Sequence, residues 1–411
     1  VLTGTSTEST YYNSNVSRET ITDAWAARTT KTYDYTLKDK LVDNRFNRNF
    51  LAVDDAYACN LDDSARKGVN INVADFPYLW IFGDDGTGYY PTYTGDTFLV
   101  SGSGCIYGGG ASDYDAVTAI DLNSQTLTTN FSDEFFKFSN LIDLRLAINA
   151  ITQIETNNLV KLEVFYTYSN QLVLLDVSQL INLKFLLCYQ NQLQVLNVSN
   201  LIEMLYLDNS NNQIQVLNVS VLVKLITLIC STNQILVLDV TNLILLTILR
   251  CNNNQIQVLN VSVLVKLTTL LCFNNQIQAL NTTNLVNLTD LRCNNNQIQT
   301  LNATNLIKLS VLYCHFNQIQ ILDFSNLVDL TVVLCNDNQI QILDLSITTK
   351  LRYLSCQNNQ LTAATNSQIL IDLDTHGLSN GYFNSSIFGG GTLTTAGLAA
   401  KASLQAKGWN I

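Results

Sequence analysis

Apolar residues recur along the middle of the chain with a period of 21 residues. From Leu141 to Lys350 the sequence divides into ten repeats of this length, and a partial eleventh follows at Leu351–Leu361. The repeat at 246–266 reads LTILRCNNNQIQVLNVSVLVK, with apolar residues at positions 1, 4, 6, 11, 14, 16 and 19. Such self-similarity is the signature of a solenoid, in which each repeat buries its apolar face only against its neighbours. The pattern therefore predicts eleven stacked coils over residues 141–361, with coil 1 beginning at Leu141 and coil 11 at Leu351.

Each coil contains two segments with the spacing of a short strand. The first half, L-x-x-L-x-C, predicts a strand with alternate side chains pointing inward. The second half, I-x-x-L-x-V-S, repeats this spacing and predicts a second short strand on the opposite side of the coil. A coil built in this way is flatter than one that carries a helix.

Asparagine occupies position 9 in every coil, where the chain must turn after the first strand. Backbone amides buried in such a turn need partners because water cannot reach them. An asparagine side chain carries two donors and an acceptor, so we expect a stacked column to hydrogen-bond the backbone of its own and adjacent coils. This predicted ladder contains Asn149, Asn170, Asn191, Asn212, Asn233, Asn254, Asn275, Asn296, Asn317, Asn338 and Asn359.

Cysteine follows the same period at position 6, from Cys230 to Cys356, with Cys188 two periods before Cys230 and Asn209 between them. No two cysteines have the C-x2-C spacing of a zinc site. Strands stacked in register about 4.8 Å apart suit disulfide bridging poorly, so we expect free thiols that act as small core residues. Cys59 and Cys105 lie outside the array, and whether they pair stays open.

The combination L-x-x-L-x-C-x-x-N-Q-I-x-x-L-N-V-S resembles the leucine-rich repeat. It is most similar to the short 21-residue type with a nested half-repeat that occurs in bacterial surface and secreted proteins. The resemblance covers Leu141–Leu361. It implies a β-rich solenoid of parallel strands with few helices, and usually a binding role, but it names no ligand because fold does not determine function.

The flanks depart from the repeat. Residues 1–40 are rich in Thr, Ser, Tyr and Asn and indicate an extended arm, whereas residues 41–116 indicate a small, irregular β-rich module with strands at 76–82 and 97–100. Residues 117–140 predict an N-terminal cap, formed by a degenerate coil at 117–127 and a short helix at 132–138. Residues 362–411 predict a C-terminal cap with a last strand at Ile369–Leu373 and a helix at 394–407.

Positions 3, 5, 7 and 8 should project outward from the first strand, and there the coils differ most. Aromatic side chains mixed with scattered charges suit recognition of a protein or glycan. Alternatively, singly exposed apolar residues are ordinary on any protein. The predicted ligand-binding face consists of Tyr166, Tyr168, Phe185, Tyr189, Tyr206, Arg250, Phe273, Arg292, Tyr313, Phe316 and Tyr353.

Position 12 is glutamine in most coils, and position 15 is Asn or Asp with Ser or Thr two residues later. Stacked glutamines are explained by side-chain hydrogen bonds between coils. A flat polar array could also bind an ordered lattice such as ice or crystalline glycan, although Asp239, Asp323 and Asp344 interrupt it. The N-x-[ST] matches at these positions follow from the repeat and are interpreted as incidental.

Composition argues against several other classes of function. The chain has 22 Lys+Arg against 33 Asp+Glu and no basic cluster, which disfavours nucleic-acid binding. No apolar stretch reaches the roughly 18–20 residues of a membrane span. His315 and His376 have no nucleophile or carboxylate at a fixed catalytic spacing, and the glycine runs do not match a phosphate-binding loop. We expect no enzyme activity, cofactor or metal, although a cation at the 84–88 loop stays open.

The sequence thus predicts a non-enzymatic recognition or adhesion protein whose variable strand face binds a protein or glycan. The alternative is a structural component of a larger extracellular assembly, anchored to neighbouring subunits through residues 1–40. Low charge and abundant Asn, Thr and Ser favour an extracellular or surface-attached location. Buried thiols would fit a reducing compartment equally well.

Overall fold

The computed structural model describes residues 139–387 and 389–411, Asn123, and the strands of the N-terminal region. The chain falls into two compact units, Val1–Leu187 and Cys188–Ile411. The expected arm at 1–40, the short helix at 132–138, Cys59, Cys105 and most of the 84–88 loop lie outside the described residues. The expectations for these segments therefore stay predictions.

The first unit begins with antiparallel strands. These are β1 (Lys67–Asn72), β2 (Trp80–Gly83), β3 (Gly88–Tyr89), β4 (Thr92–Thr94), β5 (Thr97–Gly102) and β6 (Val117–Asp121). β5 pairs with β1 and β4, whereas β2 pairs with β3 and β6. β6 then pairs in parallel with β7 (Asp143–Arg145), followed by β8 (Val164–Tyr166) and β9 (Phe185–Leu187).

The second unit continues with parallel strands, one in each coil and a last one beyond the repeats. They are β10 (Tyr206–Asp208), β11 (Thr227–Ile229), β12 (Ile248–Arg250), β13 (Thr269–Leu271), β14 (Asp290–Arg292), β15 (Val311–Tyr313), β16 (Val332–Leu334), β17 (Tyr353–Ser355) and β18 (Tyr382–Asn384). From β10 to β17 each strand pairs with the next at a shift of one repeat, so that Leu249 lies beside Leu270. The last strand, β18, pairs with β17 across a longer connection, with Tyr382 beside Tyr353. The side chains at positions 4 and 6 are buried in the core. The predicted parallel-strand solenoid is confirmed.

The asparagines at position 9 connect the coils through both ends of their amides. The Nδ2 group of Asn254 donates to the carbonyl oxygens of Cys251, at 3.1 Å, and of Cys230 in the preceding coil, at 3.0 Å. Its Oδ1 accepts the backbone N–H of Ile235 in the preceding coil at 2.9 Å. In the first unit, Asn170 makes the equivalent bonds. Buried backbone groups that would cost free energy if unpaired are thereby satisfied.

Position 8, immediately before each of these asparagines, has a left-handed backbone in all eleven coils. The φ angles lie between 51° at Phe316 and 58° at Ile148. This conformation disfavours most side chains but is tolerated by Asn and Asp. Six coils carry one of these two residues there: Asn211, Asn253, Asn274, Asn295, Asp337 and Asn358.

Two expectations about secondary structure are wrong. The second half of the coil forms no continuous strand in the described residues, where isolated bridges such as Val216–Val237 and Leu280–Leu301 occur instead. The buried side chains of I-x-x-L-x-V therefore mark an irregular segment packed on the core. The segment Ile369–Leu373 was expected to be a strand, but it is helical and lies inside α1 (Ala363–Thr375).

The C-terminal region packs two helices together. Thr362 caps α1 by accepting the backbone N–H of Thr365, and Thr394 caps α2 (Thr395–Ala406) by accepting that of Gly397. A Cβ on Gly397 would lie 2.7 Å from the Ser367 side chain, so the close approach of the helices requires glycine. The helix expected at 394–407 matches α2.

Three glutamines at position 12 bond to the glutamine at position 10 of the next coil. Gln215, for example, donates to Gln234, which occupies position 10 of the next coil, at 3.3 Å. Gln257 and Gln341 make the same diagonal contact. The hydrogen bonds between coils that we expected are present in these pairs, and each joins position 12 to position 10 of the next coil.

Candidate ligand-binding face

Strands β14 and β15 of the second unit hold a cluster of charged and aromatic side chains. Leu291 and Leu312 point into the core, so their neighbours at positions 3 and 5 lie on the outer side of each strand. Asp290 accepts two hydrogen bonds from Arg292, from Nε at 3.0 Å and from Nη2 at 3.1 Å. This two-point contact fixes the plane of the guanidinium group.

The guanidinium of Arg292 lies over the ring of Tyr313, with Cζ 4.7 Å from the ring centroid. Such a cation–π contact is favourable at a partly exposed site. The hydrogen bonding of the guanidinium to the Asp290 carboxylate raises the pKa of Arg292, so the group stays charged at any physiological pH. The exposed fraction of the Arg292 side chain is 36%. A ligand could therefore reach a positive charge that is already held in place.

Two further side chains extend the cluster from the same coil as Tyr313. The His315 ring centroid is 6.2 Å from that of Tyr313 and 5.5 Å from that of Phe316, which it meets edge-on. Burial lowers the pKa of His315. Phe316 projects from the left-handed position 8 and is 51% exposed. Arg292, Tyr313, His315 and Phe316 are together called the Arg–aromatic cluster.

A second aromatic pair lies at the C-terminal end of the same row of strands. Tyr353 and Tyr382 stack with ring centroids 4.4 Å apart and an angle of 16° between planes. Tyr382 belongs to β18, beyond the last repeat, and was not predicted as a site residue. The sequence feature that could have identified it is the strand Tyr382–Asn384, in which Phe383 is buried like the leucine at position 4 of a coil.

The remaining predicted residues divide by exposure. In the second unit Arg250 is exposed, whereas Tyr206 and Phe273 are half-buried. Tyr166, Tyr168, Phe185 and Tyr189 are each at most 8% exposed, so the expectation that they form an open surface is wrong. Position in the coil sets the side of the strand from which a side chain leaves, but it does not reveal what else packs against that side.

The eight cysteines at position 6 are free and buried. Burial raises the pKa of the Cys251, Cys293 and Cys335 thiols to about 12. Because the thiolate is the nucleophile and the metal ligand, these side chains act as core packing. No group of three or more His, Cys, Asp or Glu among the described residues could hold a metal ion.

Comparison with solved structures decides the family. The functional domain of InlJ from Listeria monocytogenes, which includes a cysteine ladder, matches with 25% identity, a TM-score of 0.55 and coverage of 71% of each chain. The leucine-rich repeat protein LIC12759 from Leptospira interrogans matches with 25% identity, a TM-score of 0.59, and coverage of 69% of this chain and 75% of the other. The chain is a leucine-rich repeat protein with short, 21-residue repeats.

The leucine-rich repeat fold also occurs in a plant receptor of known structure. The Arabidopsis receptor kinase HAESA, in complex with the peptide hormone IDA and the co-receptor SERK1, shares the fold at 23% identity and a TM-score of 0.55. That match covers 68% of this chain and 51% of the receptor. No protein-family model and no curated protein sequence matches the chain.

The leucine-rich repeat neighbours support a role in recognition in general. None of the helices in the described part of the chain is both long and apolar enough to cross a membrane. The finer question, which surface binds and what it binds, depends on the geometry of the strand face.

Proposed function

We propose that this leucine-rich repeat protein is a non-enzymatic recognition protein that binds a protein or glycan through the strand face of its second unit. The observation that carries the proposal is the Arg–aromatic cluster. Arginine and tyrosine are the residue types that most often contribute strongly at binding interfaces. Here the arginine is held by Asp290 and Tyr313 before any ligand arrives.

Fixing these side chains in advance matters for affinity. Ordering a free side chain at an interface costs about 0.5–1.5 kcal/mol. The contacts within the cluster already order Arg292 and Tyr313 in the free protein. Ligand binding therefore loses less side-chain entropy than it would with disordered side chains. The guanidinium can bind a carboxylate, carbonyl or hydroxyl oxygen, and the aromatic edges supply apolar contact.

The experiment compares the unchanged protein with the double variant Arg292→Ala/Tyr313→Ala on glycan arrays and in protein pull-downs. A ligand bound by the unchanged protein and weakened about 30-fold or more by the double variant supports the proposal. The matched control is Lys308→Ala, whose exposed side chain contacts Asn287 away from the cluster. A ligand that binds all three proteins equally would contradict the proposal, provided that circular dichroism shows the same fold.

A further inference from the structure

An exposed apolar column runs along position 13 of the second unit, away from the strand face. Six aliphatic side chains there are between 63% and 78% exposed. Rows of apolar residues with this exposure mark interaction surfaces. They are Val195, Val216, Val237, Val258, Ile321 and Ile342.

The side chains of the column change in size between coils 8 and 9. Position 13 is small in coils 7 and 8, where it is Ala279 and Thr300, and large in coils 9 and 10, where it is Ile321 and Ile342. A groove of about 360 Å³ lies at the change, and Thr300, the small core residue Ala303 and Ile321 contribute to its lining. The surface therefore presents a depression directly beside a ridge.

A second property changes at the same place. Position 15 is an amide in coils 7 and 8, Asn281 and Asn302, and a carboxylate in coils 9 and 10, Asp323 and Asp344. The Oδ1 atom of Asn302 accepts bonds from the backbone N–H and the hydroxyl of Thr304. Its Nδ2 group is the donor that a partner could use.

We propose that positions 12, 13 and 15 of coils 7 to 10 bind a second copy of this chain across a two-fold axis between coils 8 and 9. An interface of this symmetry presents the same patch on both copies. Coil 9 of one copy then faces coil 8 of the other, and coil 10 faces coil 7. Ile321 enters the groove beside Thr300 of the second copy, and Ile342 lies over Ala279.

Both size and charge select this register. Each large side chain meets a small one, so the ridge fills the depression in both directions. Asp323 faces Asn302 of the second copy, and Asp344 faces Asn281, so each carboxylate meets an amide donor. Pairing coil 9 with coil 9 would instead place Asp323 opposite itself, and like charges across an interface are unfavourable.

The area is sufficient for a stable dimer. The glutamines at position 12 of coils 7 to 10 are exposed, as are the four side chains at position 13. Eight such side chains, at roughly 100 Å² each, come close to the area of about 800 Å² per partner that standard interfaces bury. A lattice such as ice would be served better by a uniform column, so the change between coils 8 and 9 favours a second copy.

The first test is sedimentation equilibrium of the full chain over a concentration series. We expect a dimer whose dissociation constant rises by about 30-fold or more in Ile321→Asp. The control Val328→Asp makes a similar change at position 20 of the same coil, where the side chain is 48% exposed, and should leave dimerisation unchanged. An unchanged protein that stays monomeric to about 100 μM, or equal weakening by both variants, would overturn the proposal.

The second test fixes the register. Ala279→Cys and Ile342→Cys chains are treated with a short bismaleimide, separately and as a mixture. The mixture should give a cross-linked dimer that neither variant gives alone, because like positions lie about 14 Å apart along the stack, three coils at ~4.8 Å. The eight native cysteines of the array are buried and should not compete, and Cys59 and Cys105 are replaced by serine in every chain used for this test. A cross-linked dimer from Ile342→Cys alone, or no cross-link in the mixture, would exclude this register.

Discussion

The same three side chains occur twice in this protein, once enclosed and once open. In the first unit Arg145 donates to Asp143 through Nε and Nη2, and its Cζ lies 5.6 Å from the centroid of Tyr166. In the second unit Arg292 makes the same two hydrogen bonds to Asp290 and the same contact with the ring of Tyr313. The Arg145 side chain is only 11% exposed, however, against 36% for Arg292.

The difference shows that the geometry of the motif and its exposure have separate origins. The coil determines the local geometry, since D-L-R followed by Tyr at position 5 of the next coil gives the same contact in both units. Exposure depends instead on what surrounds the strand. The enclosed copy serves packing, whereas the open copy is available to a ligand.

The largest expected effect compares the two tyrosines. Tyr166→Ala removes a buried aromatic side chain and should lower the free energy of unfolding by about 3–4 kcal/mol. Tyr313→Ala removes a half-buried one and should cost about 1 kcal/mol or less. Urea denaturation of both variants measures the difference. Equal losses would show that the two copies of the motif have the same energetic role.

A smaller effect is expected at a buried amide in the cysteine column. Asn209 is fully buried between the positions of Cys188 and Cys230, and its side-chain Nδ2 and Oδ1 have no hydrogen-bond partner among the described residues. An unsatisfied buried polar group costs about 1–3 kcal/mol. Asn209→Cys should therefore raise the free energy of unfolding by about 1–2 kcal/mol.

The matched comparison for Asn209 is Asn212, which bonds both Cys188 and Leu193 through its side chain. Asn212→Ala should destabilise the protein, although both residues are buried asparagines in the same coil. A loss of stability in Asn209→Cys would indicate that a water molecule satisfies the amide of Asn209.

The third prediction concerns the open side of the coil. Phe316 occupies a left-handed position where six other coils carry Asn or Asp. Phe316→Asn should stabilise the array by about 1 kcal/mol by relieving backbone strain, and it should weaken ligand binding if the Arg–aromatic cluster binds. The reverse change, Asn295→Phe, should destabilise by a similar amount. Thermal unfolding of both variants checks the opposite signs.

The smallest effect is a dependence on pH. Burial lowers the pKa of His315, and the nearby Asp337 opposes this only in part. The unfolded chain, where the pKa is about 6.5, then binds the proton more tightly than the folded one. Stability contributed by neutral His315 is therefore full above pH ~6.5 and is lost as the pH falls through the lowered pKa. The fall in melting temperature between about pH 7.5 and 5.5 should be smaller in His315→Gln, and an equal fall would contradict the assignment.

Spacing along the sequence was enough to predict the parallel strands and the stacking of the coils. A period of 21 places Leu249 and Leu270 at the same point of successive coils, and their burial follows from that alone. Periodicity could not decide between conformations that bury the same side chains. In α1, the buried residues Asn366, Ile369, Leu370 and Leu373 follow helical spacing, although a short apolar run also suggests a strand.

The candidate site was less predictable than the fold. Arg292, Tyr313 and Phe316 were predicted as site residues because they occupy outward positions at which the coils differ in sequence. The low exposure of Tyr166, Tyr168, Phe185 and Tyr189 could not be foreseen, because the repeat indicates on which side of the strand a side chain lies but not how much of that side is covered. Tyr382 was missed because its strand follows the helix α1 rather than a 21-residue step.

The asparagine bonds between coils also impose an order on synthesis. The backbone N–H of Ile235 is satisfied by Asn254, 19 residues further along, and Ile256 depends in the same way on Asn275. A coil emerging from the ribosome therefore stays unfinished until most of the following coil has been made. Folding should advance one coil behind translation, and a chain released early should end in a coil whose inner amides have no partner.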